Sequence, residues 1–169
     1  MNKNLKKWFL GACVVVPFLI YCIIYYAQVF KNAPYKFSEF KSFSIQWGPS
    51  DSLINKYNSA TGEYQFVDER DSLVKINVHL PKEDLLVLHR KAAEQGLWDW
   101  PENETGDTTE TRGGQKSPRY IIQFNYQRKS KKVIFDQSFQ GDPRLAAANR
   151  ELIKTIRKVL DDEASNLKK

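Results

Sequence analysis

Residues 74–96 read VKINVHLPKEDLLVLHRKAAEQG, and two periodicities meet inside them. Val74, Ile76, Val78 and Leu80 alternate with Lys75, Asn77 and His79. A period of two marks a half-buried strand. Pro81 cannot donate to a ladder and ends it. From Lys82 the apolar spacing lengthens to 3.6, and Leu85, Leu88, His89, Ala92 and Ala93 share one stripe. Glu83 and Asp84 fall in the first turn, where the helix dipole favours acids. Gly96 supplies a C-terminal stop. A strand that passes through one proline into an amphipathic helix predicts helix packed on sheet, the α+β class.

Strand patterns flank this stretch. Upstream, Phe43, Ile45 and Trp47 alternate with Ser44 and Gln46, and a second strand opened by Gly62 carries Tyr64 and Phe66. Residues 51–61 between them read as loop. Downstream, residues 102–118 are polar and read as a second, longer loop. Tyr120, Ile122, Phe124 and Tyr126 then alternate, Arg128 to Lys131 turn, and Val133 to Phe135 return. Asp142 as N-cap and Pro143 at the first helical position open a last helix. Its stripe is Leu145, Asn149, Leu152, Ile153, Ile156 and Leu160. The expected domain, 42–163, is two-layered: an antiparallel sheet of about five strands, two helices on one face, order βββαββα. A polar tail at 164–169 follows.

The N-terminal fifth has a different composition. Residues 8–27, WFLGACVVVPFLIYCIIYYA, hold no charge. Twenty helical residues span about 30 Å, the thickness of a hydrocarbon core. The expectation is a single-pass transmembrane signal-anchor, with 1–7 cytoplasmic, 28–41 a linker, and the domain extracytoplasmic at the cell membrane. A cleaved signal peptide fits less well, because Tyr25-Tyr26-Ala27 lacks a small-x-small site. The net charge of +6 follows the same division. Five lysines and no acid precede Phe37, leaving 21 bases against 20 acids in the rest. A domain of net +1 argues against nucleic acid as a partner.

Several motifs recur together along the domain: a Gly62-Glu63-Tyr64 strand opening, a Leu80-Pro81-Lys82-Glu83-Asp84-Leu85 helix entry, and Gly96-Leu97-Trp98-Asp99-Trp100-Pro101. Ser117-Pro118-Arg119-Tyr120 and Gly141-Asp142-Pro143-Arg144-Leu145 complete the set. The pattern resembles a group of small uncharacterised bacterial (Bacteroidetes-type) extracytoplasmic α+β domains, membrane-anchored or lipoprotein. The resemblance covers about residues 43–160 and implies fold and location; it carries no functional residues.

Chemistry is sparse in the sequence. His79 and His89 are the two histidines. His79 falls on the polar face of its strand and His89 on a helix stripe, and no nucleophile turn accompanies either. Glu102, Asn103, Glu104, Asp107 and Glu110 crowd one loop, but their spacing does not fit a calcium loop. Trp98, Trp100 and Tyr57 are either a core plug beneath the helix end or an aromatic platform. No catalytic, metal or cofactor residues are predicted. The expected role is a non-enzymatic binding or envelope-associated module, with an unidentified envelope partner. The alternative is a secreted or periplasmic hydrolase or other enzyme using the acidic loop 102–110 and His79. One dense charge cluster stands out, Arg128, Lys129, Lys131 and Lys132, and it is the expected site of contact with a membrane surface.

Overall fold

The computed structural model describes residues 3–31, 35–68, 70–106 and 117–167, with side chains of 8 and 11–26 in the first of these stretches. The chain divides into two compact units, Met1–Tyr35 and Lys36–Lys169.

The first unit is a helix, α1 (Lys3–Lys31), with Pro17 inside it. It contains the stretch 8–27, and the transmembrane, single-pass signal-anchor expectation is corrected there. Among the described residues, no helix is long and apolar enough to cross a membrane. The side chains of Phe9, Leu10 and Ala27 lie outside the described set. Residues 32–34 of the expected linker also lie outside the described residues.

The second unit is α+β, but it has seven strands rather than about five. They are β1 (Phe40–Pro49), β2 (Asn55–Asn58), β3 (Glu63–Val67), β4 (Leu73–Asn77), β5 (Asn103–Glu104), β6 (Pro118–Tyr126) and β7 (Ser130–Asp136). Helix α2 (Lys82–Glu94) lies between β4 and β5, and α3 (Pro143–Asn166) closes the chain. The element order therefore departs from βββαββα. Both added strands fall in stretches read as loop: β2 within 51–61, and β5 within 102–118. The sheet is mixed rather than purely antiparallel. Its order is β4-β3-β2-β1-β6-β7-β5, and β5 pairs with β7 in parallel while the other pairs are antiparallel.

Register explains the core. Phe43 stands opposite Phe124, Ile45 opposite Ile122 and Tyr57, and Ile122 opposite Val133. Residues paired across strands share a face, so the inward positions of these four strands form one apolar sheet surface. Leu88 and Ala92 of α2 and Leu152, Ile156 and Leu160 of α3 are buried on the helix side of the core. Asp142 caps α3 as expected, its Oδ1 accepting from the Arg144 amide at 2.8 Å. Gly96 ends α2 at φ +77°, a conformation that L side chains rarely adopt. The helix α3 runs on to Asn166, past the boundary expected at 163.

Candidate functional site

The four hairpin cations do not act as one exposed cluster. Arg128 donates to Glu39 Oε1 at 3.2 Å, and the Gln127 amide donates to the Glu39 carbonyl at 2.9 Å. The hairpin thus rests on the short 3-10 turn Phe37–Glu39. Lys129 is half-buried and Lys132 exposed. Lys131 is buried, and its Nζ donates to the Trp100 carbonyl. Strand parity is the cause: Lys131 lies two residues before Val133 and directly opposite Phe124, on the core face of the sheet. Of the four, Lys131 is therefore not on the exposed face of the hairpin.

Among the described residues, the acidic loop and His79 of the enzyme alternative are not brought together either. His79 follows β4, and Glu102–Gly106 surrounds β5, at the opposite edge of the sheet. Six strand spacings of about 4.8 Å separate those edges, roughly 29 Å. Asp107 and Glu110 lie outside the described residues. Glu104 is not a solvated loop acid but a fully buried one, on the core face of β5.

His89 packs against Phe37, Trp98 and Tyr126, with Nδ1 and the Tyr126 hydroxyl hydrogen-bonded at 2.8 Å. Burial, with Arg90 beside it, holds its imidazole below the ordinary histidine value. Trp100 is buried and donates to the Gln95 carbonyl at 3.0 Å, while Trp98 is half-exposed over Phe124 and Tyr126. Tyr57 is buried, its hydroxyl donating to the Val78 carbonyl at 3.2 Å, and burial pushes it up to about 12. Tyr57 and Trp100 are therefore core, not platform.

A concave surface with convergent charge lies elsewhere, along α3. An open groove of about 580 Å³ runs between α3 and the ends of β6 and β7. Tyr120, Phe135 and Ile153 form its apolar floor. Arg150, Lys154, Arg157 and Lys158 stand along it, followed by Asp161 and Asp162. Helical spacing gathers these cations: at 100° per residue, 150, 154, 157 and 158 fall within an arc of about 100°. That arc borders the buried stripe at Ile153. The long aliphatic stems lie along the apolar floor while the charges reach water.

The groove is polarised. Asp161 hydrogen-bonds the Tyr64 hydroxyl, and Arg157 acts on the same group. Burial, reinforced by Asp161, pushes that hydroxyl up to about 12. Arg150 and Lys154 stand about two turns and one turn further toward the start of α3, away from the acids. The positive end of the groove is therefore the end beside Arg150 and Lys154. Sequence reading passed over this row because the four cations are spread over nine residues; the signal that finds it is their 3.6 spacing.

No protein family, curated protein or solved structure matches this chain, so nothing bears on the resemblance to Bacteroidetes-type domains.

Proposed function

We propose that the domain is a non-enzymatic binding module, and that its ligand is an anionic group attached to a flat apolar body, seated in the α3 groove. The observation that carries this reading is an apolar floor with a one-sided row of cations. A volume of about 580 Å³ lies within the range of small-ligand pockets. The floor of Tyr120, Phe135 and Ile153 buries a ring, and Arg150 and Lys154 hold the charge. The acids Asp161 and Asp162 repel a second anion and set the ligand's direction. An extracytoplasmic, envelope-associated location belongs to the same reading and rests on the motif resemblance; a C-terminal fusion to an enzyme active only outside the cytoplasm tests it.

Binding is tested by titrating the full chain with phenyl phosphate and with inorganic phosphate, following amide signals of α3. Phenyl phosphate is expected to bind more tightly than phosphate and to weaken as salt rises, since exposed charges are screened. Arg150→Glu combined with Lys154→Glu should remove both responses. Phenyl phosphate that leaves the α3 and Tyr120 signals unmoved at low salt defeats the proposal.

A further inference from the structure

We propose that Glu104 carries a proton in the folded domain at pH values where an exposed glutamate has lost it, and that this proton closes an acid–amide ring with Asn149 that latches β5 to α3. Glu104 and Asn149 are both fully buried. Asn149 Nδ2 donates to Glu104 Oε2 at 2.5 Å and to the Leu145 carbonyl at 3.0 Å. A carbonyl only accepts, so the second bond fixes which end of the amide is nitrogen. Both amide hydrogens are thereby used. Among the described residues, Glu104 Oε1 and Asn149 Oδ1 have no hydrogen-bond partner.

These two orphan oxygens belong to the two groups that are already joined by their other arms. A single proton on Oε1, donated to Oδ1, satisfies both at once. It completes a ring in which the acid donates to the amide carbonyl and the amide donates to the acid carbonyl. An ionised Glu104 instead leaves a buried carboxylate with one hydrogen bond and leaves Oδ1 unpaired, an arrangement buried polar groups avoid.

The charged side chain that acts on the carboxyl is Lys131 of β7, and its Nζ is engaged by the Trp100 carbonyl. Helix α3 faces it with the uncharged Asn149. Arg119 and Asp136 hold each other through two hydrogen bonds, 2.6 and 2.9 Å, on the opposite face of the sheet. Burial raises the carboxyl and outweighs the lowering by Asn149 and Lys131. The folded state therefore binds a proton that the unfolded state releases, and stability falls as pH rises through that interval. Raising the pH unlatches the β5 edge.

The test compares thermal melts of the full chain and of Glu104→Gln from pH 4 to pH 8. Glutamine keeps the ring, its amide donating to Oδ1 and its carbonyl accepting from Nδ2. Using the difference between the two proteins removes every other titrating group. The midpoint of the wild type should fall relative to the variant by about 2–6 °C for each unit by which the carboxyl is raised. Protection of the amides of 103–106, taken relative to their intrinsic exchange rates at each pH, should fall from pH 5 to pH 8 in the wild type alone. A carbon-13 carboxyl titration of Glu104 in the wild type needs no variant to fold, and its midpoint should lie above that of an exposed glutamate. A difference that is flat, or that favours the wild type as pH rises, overturns the ring, as does a carboxyl midpoint at or below the ordinary value.

Discussion

Two regions of this domain carry four cations each, and the fold treats them in opposite ways. Arg128, Lys129, Lys131 and Lys132 are nearly consecutive, and the hairpin separates them: one is buried and one is tied to Glu39. Arg150, Lys154, Arg157 and Lys158 are spread along α3, and the helix gathers them on one groove. Linear charge density is thus a poor guide to surface potential. In a strand, neighbours point to opposite faces. In a helix, residues three and four apart share one.

The sharpest way to break this comparison is at Lys131 and Lys132, adjacent in sequence and opposite in environment. Lys131→Glu puts an acid on the core face near Glu104 and frees the Trp100 carbonyl. It should cost about 3–5 kcal/mol, as leaving an uncompensated charge in the core does. Lys132→Glu, on the exposed face, should change stability by under about 0.5 kcal/mol. Denaturant melts of the two variants decide it, and equal losses would mean that strand parity does not separate them.

Lys131 also shows how much was legible in the sequence. Its burial follows from spacing alone, because it sits two residues before Val133 in an alternating run. The alternation, the helix entry at Lys82, the stop at Gly96 and the Asp142–Pro143 start of α3 read correctly, although β4 ends at Asn77 rather than running on to Pro81. Strand β2 did not, since Asn55, Lys56 and Asn58 are poor strand formers and only Tyr57 points inward. It forms because β1 and β3 both pair with it. Strand β5 is two residues long and is defined only by its parallel partner β7, which no local pattern announces. Glu104 read as solvated because carboxylates are almost never fully buried. The α3 row was legible as periodicity and was obscured by its low linear density. The stretch 8–27 read as spanning on its absence of charge, and that reading did not hold among the described residues.

The second contrast concerns binding. Arg150→Glu with Lys154→Glu should lower affinity for phenyl phosphate at least tenfold, about 1.4 kcal/mol or more. Lys129→Gln with Lys132→Gln should change it less than twofold. Titration at fixed low salt measures both. Comparable losses from the two pairs would mean that net charge, rather than the groove, attracts the anion.

A third prediction concerns His89, whose partner Tyr126 begins the hairpin. Its folded value lies below the unfolded one, so its contribution is present above about pH 6.5 and is lost as pH falls through the folded value. The wild type should lose up to about 1 kcal/mol relative to His89→Leu between pH 7.5 and pH 5. The expected sign is opposite to that for Glu104, so the two variants separate the effects. Denaturant melts across that range check it, and a difference that does not change with pH would remove the burial argument.

The smallest effect belongs to the hairpin's own ion pair. Arg128 and Glu39 meet at 3.2 Å with the arginine side chain 70% exposed. Water screens the attraction, and holding a long side chain in place costs entropy. A double-mutant cycle with Arg128→Ala and Glu39→Ala should therefore give a coupling of about 0.2–0.5 kcal/mol that shrinks in high salt. The backbone bond from Gln127 to the Glu39 carbonyl survives both substitutions, so the hairpin stays docked on the 37–39 turn. A coupling above about 1 kcal/mol would show that Arg128 is as structural as Lys131. In that case exposure would no longer distinguish the two, and the separation of the hairpin's cations into a buried lysine and a solvated remainder would have to be redrawn.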